Sequence, residues 1–502
     1  MVKHSTAVVT ICIGILSSAS IALVLTWLYQ TGCISQEFPY LGAKALLAYS
    51  GPEPRFESFG YVFPPLIIYG VLLTGTSPIA FQALVGGSLV GLIMQQMGRV
   101  SVSRLWQVLW TLLIFIHPSF GLMALYRPDW ATATLLLMGA MTLLLDLAQE
   151  RDKRLLSTGL ALVLLGFVLA PLMLVRFEAW YLLPILAVTI LVTFYNTEPP
   201  GFQISAALVV LFMSLVAVGA FLYFNWITTD DAFYFVNSSN GSLQQARNLA
   251  FVQQEKIDSS VIAALKWLIT TVPVYLVTIL GVIFSANKHR AGLILILLLP
   301  VFMLIISFWK GLFFPSASQL GLFLGLLPVI WWHAPPRRLL SRILITVTLV
   351  ASLLYTGYRL QQNEFVPEET LLWRQLSGQP IPETPAVQQS LAFCQAERDI
   401  ADLLDNTLTG PSRLLVDDTV GSGILYRVRR PDAFILPYQF EFVPALQNPG
   451  IYTDFILLAG PSSPVADRDR VGAFWSQRSP ETLPGFQVIR ENPFFQLLQR
   501  GL

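Results

Sequence analysis

Nine acidic residues gather at one boundary of the apolar segments that fill the first 358 positions: Glu37, Glu53, Glu57, Asp129, Glu178, Asp230, Asp231, Glu255 and Asp258. Basic residues accompany them at Lys44, Arg55, Arg127, Arg176 and Lys310. A charge at the centre of a membrane helix costs about 2.5–3.5 kcal/mol on insertion scales, so ionisable groups kept beside a bilayer mark where chemistry is expected. A carboxylate there can take a proton, and a guanidinium or ammonium can hold an anion. Each residue also has a plainer role open to it. Glu37 can cap a helix, and Asp129 follows Pro128 at a helix start, where an acid suits the dipole. Arg176 and Glu178 can pair with each other, and Lys44, Arg55 and Lys310 can reach lipid headgroups. His117, beside Pro118, reads as a satisfied helix histidine rather than a ligand.

The elements that must position these groups follow from composition. Of 502 residues, 54% are hydrophobic and 12% charged, with a mean hydropathy of +0.63. Soluble chains carry about 25% charge, so lipid is expected around much of this one. A formal net charge of +1 provides no basic field for nucleic acid. The three cysteines, Cys12, Cys33 and Cys394, form no C-x-x-C pair and no zinc set.

Residues 1–358 carry a net charge of +6 and all the long apolar runs, whereas residues 359–502 carry −5 and none. The expected architecture is a polytopic helical membrane domain over 1–358 followed by a soluble α/β domain over 359–502. A span needs roughly 20 apolar residues. Eleven candidates meet or approach that length: 7–29, 78–97, 105–125, 130–148, 155–174, 179–194, 202–225, 264–285, 291–308, 318–333 and 343–358. With the N-terminus inside, the inner connections hold 11 Lys/Arg in 39 residues and the outer ones 7 in 85. That bias puts the acid-rich boundary and the C-terminal domain outside the cytoplasm. The Trp residues at span ends (Trp27, Trp226, Trp309, Trp331 and Trp332) read as an aromatic belt.

The first outer loop carries the most information. Tyr40, Ala43, Lys44 and Leu47 recur at helical spacing after Glu37, predicting an interfacial helix with one polar and one apolar stripe. Gly51-Pro52 and Pro54 break it. Tyr61-Val62-Phe63-Pro64-Pro65-Leu66 then opens an apolar segment too short to span before Pro78.

An acid after the first helix, a Y-x-x-A-x-x-L helix, a Gly-Pro break, an aromatic-Pro-Pro-Leu and a G-x-S resemble the opening of GT-C glycosyltransferases. Those polytopic enzymes include the protein O-mannosyltransferases and the aminoarabinose lipid A transferases. Arg127-Pro128-Asp129 at a span start, and Leu174-Val175-Arg176-Phe177-Glu178 before Pro184, extend the likeness. The sequence departs from the family at Gln36-Glu37, where two acids or a lone Asp are common, so Glu37 is the only acid in place. Cations before the late proline-containing helix are few: only Lys310, with the neutral Gln319 nearby.

The resemblance implies transfer of a sugar from a polyprenyl-phosphate carrier to a lipid, glycan or protein acceptor on the outer face of the cell membrane. The anomeric centre would be inverted by a single displacement. Glu37 would be the base and Asp129 a second acid, with a divalent cation as a possible shared ligand. Lys44, Arg55, Glu57, Arg127, Arg176, Glu178 and Lys310 would bind the substrate. The 226–262 loop, helical around 243–256, would fold over the site. Asn237-Ser238-Ser239 and Asn240-Gly241-Ser242 match glycosylation sequons, relevant only in a eukaryotic lumen. The alternatives are a transporter or flippase of lipid-linked sugars, which would want ionisable groups in mid-helix, and a non-catalytic scaffold of envelope assembly.

In the C-terminal part, residues 386–407 are predicted helical. Strands are predicted at Arg413–Val416, Ala433–Leu436, Asp454–Leu458, Phe486–Ile489 and Phe494–Leu498, with helices around 421–427 and 439–446. The domain is expected to be structural or to dock an acceptor. Cys33 and Cys394 would share the oxidising side, but are expected to stay unpaired.

Overall fold

Prolines set the rhythm of the membrane part. Helices begin at Pro78, Pro118, Pro128, Pro200 and Pro273, where the missing N–H is one that a helix start leaves unpaired anyway. The computed structural model describes residues 2–31, 33, 37–50, 65–149, 158–195, 198–237, 261–285, 287, 289–309, 316–363, 365–476 and 485–501. Gln36, Arg55, Glu57, Lys310, residues 238–242 of the sequons and the helix expected around 243–256 lie outside the described residues.

The chain divides into two units. The first comprises Met1–Trp27, Val62–Ile67 and Ala80–Trp373. Among the described residues, six helices are long and apolar enough to cross a bilayer: Val8–Thr31, Pro78–Arg99, Pro128–Ala148, Phe177–Phe194, Pro200–Thr229 and Leu339–Gln361. Two bent pairs join them, Arg104–Phe115 with Pro118–Tyr126 at 60° and Ala264–Thr271 with Pro273–Ile283 at 92°. Three shorter apolar helices, Thr158–Met173, Arg290–Ile306 and Gly321–His333, complete the set. Each of the eleven expected spans therefore coincides with a helix or a bent pair.

The helix Gly321–His333 is buried along almost its whole length. It lies close to Pro128–Gln149 because Gly325 has no side chain; a Cβ there would fall 2.5 Å from Thr134 Cγ2. Trp331 is part of this interior. It is buried, lies 5.0 Å from Trp110 between ring centroids and donates to Thr278 Oγ1 at 3.2 Å. It is therefore a core residue rather than a belt residue, whereas Trp27 and Trp226 are exposed as a belt requires. His117 is a core histidine: Nδ1 accepts from Ser119 N at 3.2 Å, and Nε2 lies 2.9 Å from Ser352 Oγ.

The second unit comprises Leu28–Tyr61, Ile68–Ile79 and Arg374–Leu502. Its sheet has five strands, β1 (Leu414–Leu415), β2 (Phe434–Ile435), β3 (Phe455–Ala459), β4 (Phe486–Glu491) and β5 (Phe495–Arg500). Their order is β2-β1-β3-β5-β4. The first three are parallel, and β5 pairs antiparallel with both β3 and β4. The helix Pro385–Thr407 packs Phe393, Ile400 and Leu404 into the core beside this sheet.

The helix Glu37–Ser50 belongs to the same core. Ala43 and Leu47, the expected lipid-facing stripe, pack with Ile400, Val420 and Ile424 instead. Cys33 and Cys394 form a disulfide with their Cα atoms 6.1 Å apart. This corrects the expectation that they stay unpaired: both flank elements of one core, which brings them within bonding reach.

Candidate functional site

In the first unit, two short motifs place four charges together. Asp129 stands in the first turn of the helix Pro128–Gln149, where its carboxylate faces the positive end of the helix dipole. Arg127 caps the preceding helix, and its guanidinium grips Asp129 with both ends, Nε to Oδ1 at 3.0 Å and Nη2 to Oδ2 at 2.8 Å.

Arg176 comes from the turn that links Thr158–Met173 to the 3₁₀ segment Phe177–Leu182. Its Nη1 also donates to Asp129 Oδ2. Its Nε and Nη2 donate to Glu178 Oε2 and Oε1 at 3.1 and 2.5 Å. The Arg176 guanidinium lies 4.1 Å from the centroid of the Trp130 ring. Two cations and two anions thus form a charge-balanced array. Such bidentate contacts fix a guanidinium more firmly than a single bond would. Both carboxylates are buried, with Asp129 8% and Glu178 7% exposed.

Aromatic packing holds the turn that carries Arg176. Phe177, Phe221 and Phe235 form a buried cluster with Trp180 against it. The Phe177 and Phe235 centroids are 4.4 Å apart, and Trp180 Nε1 donates to Met173 O at 2.7 Å. Phe235, which packs on Phe177, precedes residues 238–260 of the loop expected to cover the site, and those lie outside the described residues. The same turn gives Leu174 O to Leu66 N at 3.1 Å.

A further carboxylate, missed in the sequence, lies behind Tyr126. Glu369 is fully buried and accepts from Ser316 Oγ at 2.6 Å, Ala317 N at 2.5 Å and Ser318 N at 2.9 Å. It therefore fixes the turn 316–318 that precedes the buried helix Gly321–His333. The only signal available was an acid in the first turn of Pro367–Ser377, which reads as an ordinary helix-start acid.

In the second unit, Glu37 opens the helix Glu37–Ser50 and is partly buried. Two turns on, Lys44 is 5% exposed and gives its ammonium to Asp418 Oδ2, with the Tyr40 ring 5.5 Å away. Asp418 raises the Lys44 pKa against the desolvation that would lower it, and Lys44 lowers the pKa of Asp418 in return. Lys44 is thus committed to a carboxylate.

Among the described residues, no three His, Cys, Asp or Glu side chains converge as metal ligands. At Asp129 both oxygens already accept from guanidinium groups, so this donor set does not fit a divalent cation.

No protein-family model and no curated protein sequence matches the chain. Solved structures do. ArnT from Cupriavidus metallidurans, bound to undecaprenyl phosphate, superposes with a TM-score of 0.55 at 12% identity, over 96% of this chain and 97% of that one. Arabinofuranosyltransferase AftD from Mycobacteria matches at 0.44 and 13% identity, over 97% and 40%. The Archaeoglobus fulgidus oligosaccharyltransferase, in complex with Zn and sulfate, matches at 0.42 and 11%, over 88% and 68%. The likeness to ArnT extends along the chain, so this is a polytopic membrane protein of the GT-C fold with a small C-terminal α/β region.

Proposed function

We propose that the chain is a membrane glycosyltransferase that moves a sugar from a polyprenyl-phosphate carrier to an acceptor on the outer face, with inversion. The observation that carries the proposal is the array of Arg127, Asp129, Arg176 and Glu178, with both carboxylates buried, inside a GT-C fold. Undecaprenyl phosphate is what the ArnT structure holds, and phosphate oxygens suit the same planar guanidinium geometry that binds the two carboxylates here.

In the proposed reaction the acceptor oxygen attacks the anomeric carbon while the bond from that carbon to the phosphate oxygen breaks. The electron pair leaves on the phosphate, and the acceptor proton passes to a carboxylate, assigned to Glu37. Arg127 and Arg176 meet the developing negative charge. Asp129 and Glu178 hold those guanidiniums in one orientation before substrate arrives, a cost then not incurred during the reaction. Asp129, first read as a second catalytic acid, takes this orienting role because its oxygens already accept guanidinium N–H groups. No step is routed through a metal. The disulfide supports an outward C-terminal part, since such bonds persist in oxidising compartments.

The test is transfer of labelled sugar from a polyprenyl-phosphate donor by the purified protein, beside Glu37→Gln and Asp129→Asn. Transfer by the wild type with losses of a hundredfold or more in Glu37→Gln supports the reading. Full activity in both variants removes the site assignment. Movement of intact donor across vesicles without transfer would favour the flippase.

A further inference from the structure

The sheet of the second unit reverses its winding at β1. From β1 the chain passes through the helix Asp418–Leu425 to β2 on one side, then returns to β3 on the other. In open α/β sheets the crevice beyond the carboxyl ends of the strands at such a reversal is where ligands bind. Here the residues lining that place are acids. Asp417 follows β1, caps the helix through Thr419 N at 2.8 Å, and accepts from Arg470 N at 3.2 Å. Asp469 follows β3 and accepts from Ala459 N at 2.8 Å and Gly472 N at 2.9 Å. What enters is not a separate ligand but this chain's own Lys44, whose ammonium bonds to Asp418.

The rest of the contact fits a docking seat. Gly42 lies flush with the Tyr426 ring, where a Cβ would fall 2.3 Å from Cε2. Ala43 and Leu47 enter the core, and the Cys33–Cys394 disulfide fastens the chain just before the helix. Glu37 stands on that helix seven residues before Lys44, about 10 Å along its axis.

We propose that Asp418 is a positioning residue for Glu37: through Lys44 it sets the rotation and height of the helix Glu37–Ser50 on the α/β unit. The ion pair is directional where the contacts of Ala43 and Leu47 are apolar, so it favours the register that joins Lys44 to Asp418. The link to catalysis rests on the reading of Glu37 as the base; the seating of the helix does not.

Hydrogen exchange on the full-length protein in detergent tests the seating directly. In Asp418→Asn, amides of 40–50 should exchange at least tenfold faster while those of β3 stay as slow as in the wild type. Asp418→Glu should restore much of the protection. In the transfer assay Asp418→Asn should lower kcat about tenfold with the donor KM little changed. If Asp418→Asn also frees β3, Lys44→Met decides, since it removes the pair from the helix side and leaves the helix cap at Asp417 intact. Unchanged exchange over 40–50 in a folded variant overturns the proposal. Faster exchange in a protein that never transfers sugar would leave the seating standing and sink the enzymatic reading instead.

Discussion

Arg176 donates to Asp129 across 47 residues of sequence and, with its other edge, to Glu178 two residues on. One guanidinium thus ties the start of the helix Pro128–Gln149 to the turn before the 3₁₀ segment Phe177–Leu182. Replacing it by lysine keeps the charge but loses the fork and the contact with Trp130. In the proposed transfer reaction, Arg176→Lys should raise the donor KM and cut kcat/KM by tenfold or more, read by single-donor titrations. An unchanged kcat/KM would mean the fork does not hold the donor.

Asp129→Ala should be worse for folding than Arg176→Lys. It leaves two partly buried guanidiniums without their shared carboxylate; breaking a fully buried pair costs about 3–5 kcal/mol, and partial exposure lowers that here. Thermal unfolding of the detergent-solubilised protein should show a clear fall in Tm, with a smaller fall for Asp129→Asn.

Glu369 makes a sharper case, because glutamine fits its space and not its chemistry. A carboxylate accepts from Ala317 N and Ser318 N at once, whereas an amide must aim an N–H at one of them. Glu369→Gln should lower stability by about 2–3 kcal/mol through that unsatisfied donor. A Tm within a degree of the wild type would show that the turn 316–318 does not depend on the charge.

Only Cys12 should react with a thiol reagent in the unfolded, unreduced protein, with Cys33 and Cys394 appearing after reduction. Mass spectrometry of the alkylated chain counts them. Cys394→Ser should cost about 2–5 kcal/mol, as loss of a native disulfide commonly does.

Asp417 provides a pH signature. Burial first, and the Asp418 charge second, raise its pKa from an ordinary carboxyl value to about 6. A carboxyl whose folded pKa lies above its unfolded one binds more protons when folded, so its contribution to stability falls as pH rises from about 4 to about 6 and is level beyond. Asp417→Asn should flatten that fall, seen by comparing the difference in Tm between pH 4.5 and pH 7 in the two proteins. A fall of equal size in both would place its origin elsewhere.

Much of this was legible in one sequence. Apolar runs and their prolines located the helices of the first unit, of which six, or eight with the bent pairs, are long enough to span among the described residues. Short apolar runs between turn residues located all five strands of the sheet within a residue or two. Arg127-Pro128-Asp129 and Arg176-Phe177-Glu178 were visible as local motifs, since each pair is bonded two residues apart. The bond from Arg176 to Asp129 was not, and neither was Lys44 to Asp418, because spacing along the chain carries no record of which turns meet. The same holds for Cys33 and Cys394. The stripe on the helix Glu37–Ser50 was seen correctly but given to lipid, since a protein core and a bilayer ask for the same residues.

The disulfide sets a timetable for synthesis. Cys33 leaves the ribosome 361 residues ahead of Cys394, a wait of roughly 20–70 s at about 5–20 residues per second. Throughout that interval the helix after it has no partner, and the thiol stays open to passing oxidants. A fragment begun near residue 374 could never recover what the early segment contributes, so anyone hoping to crystallise the tail alone should splice residues 28–50 back onto it.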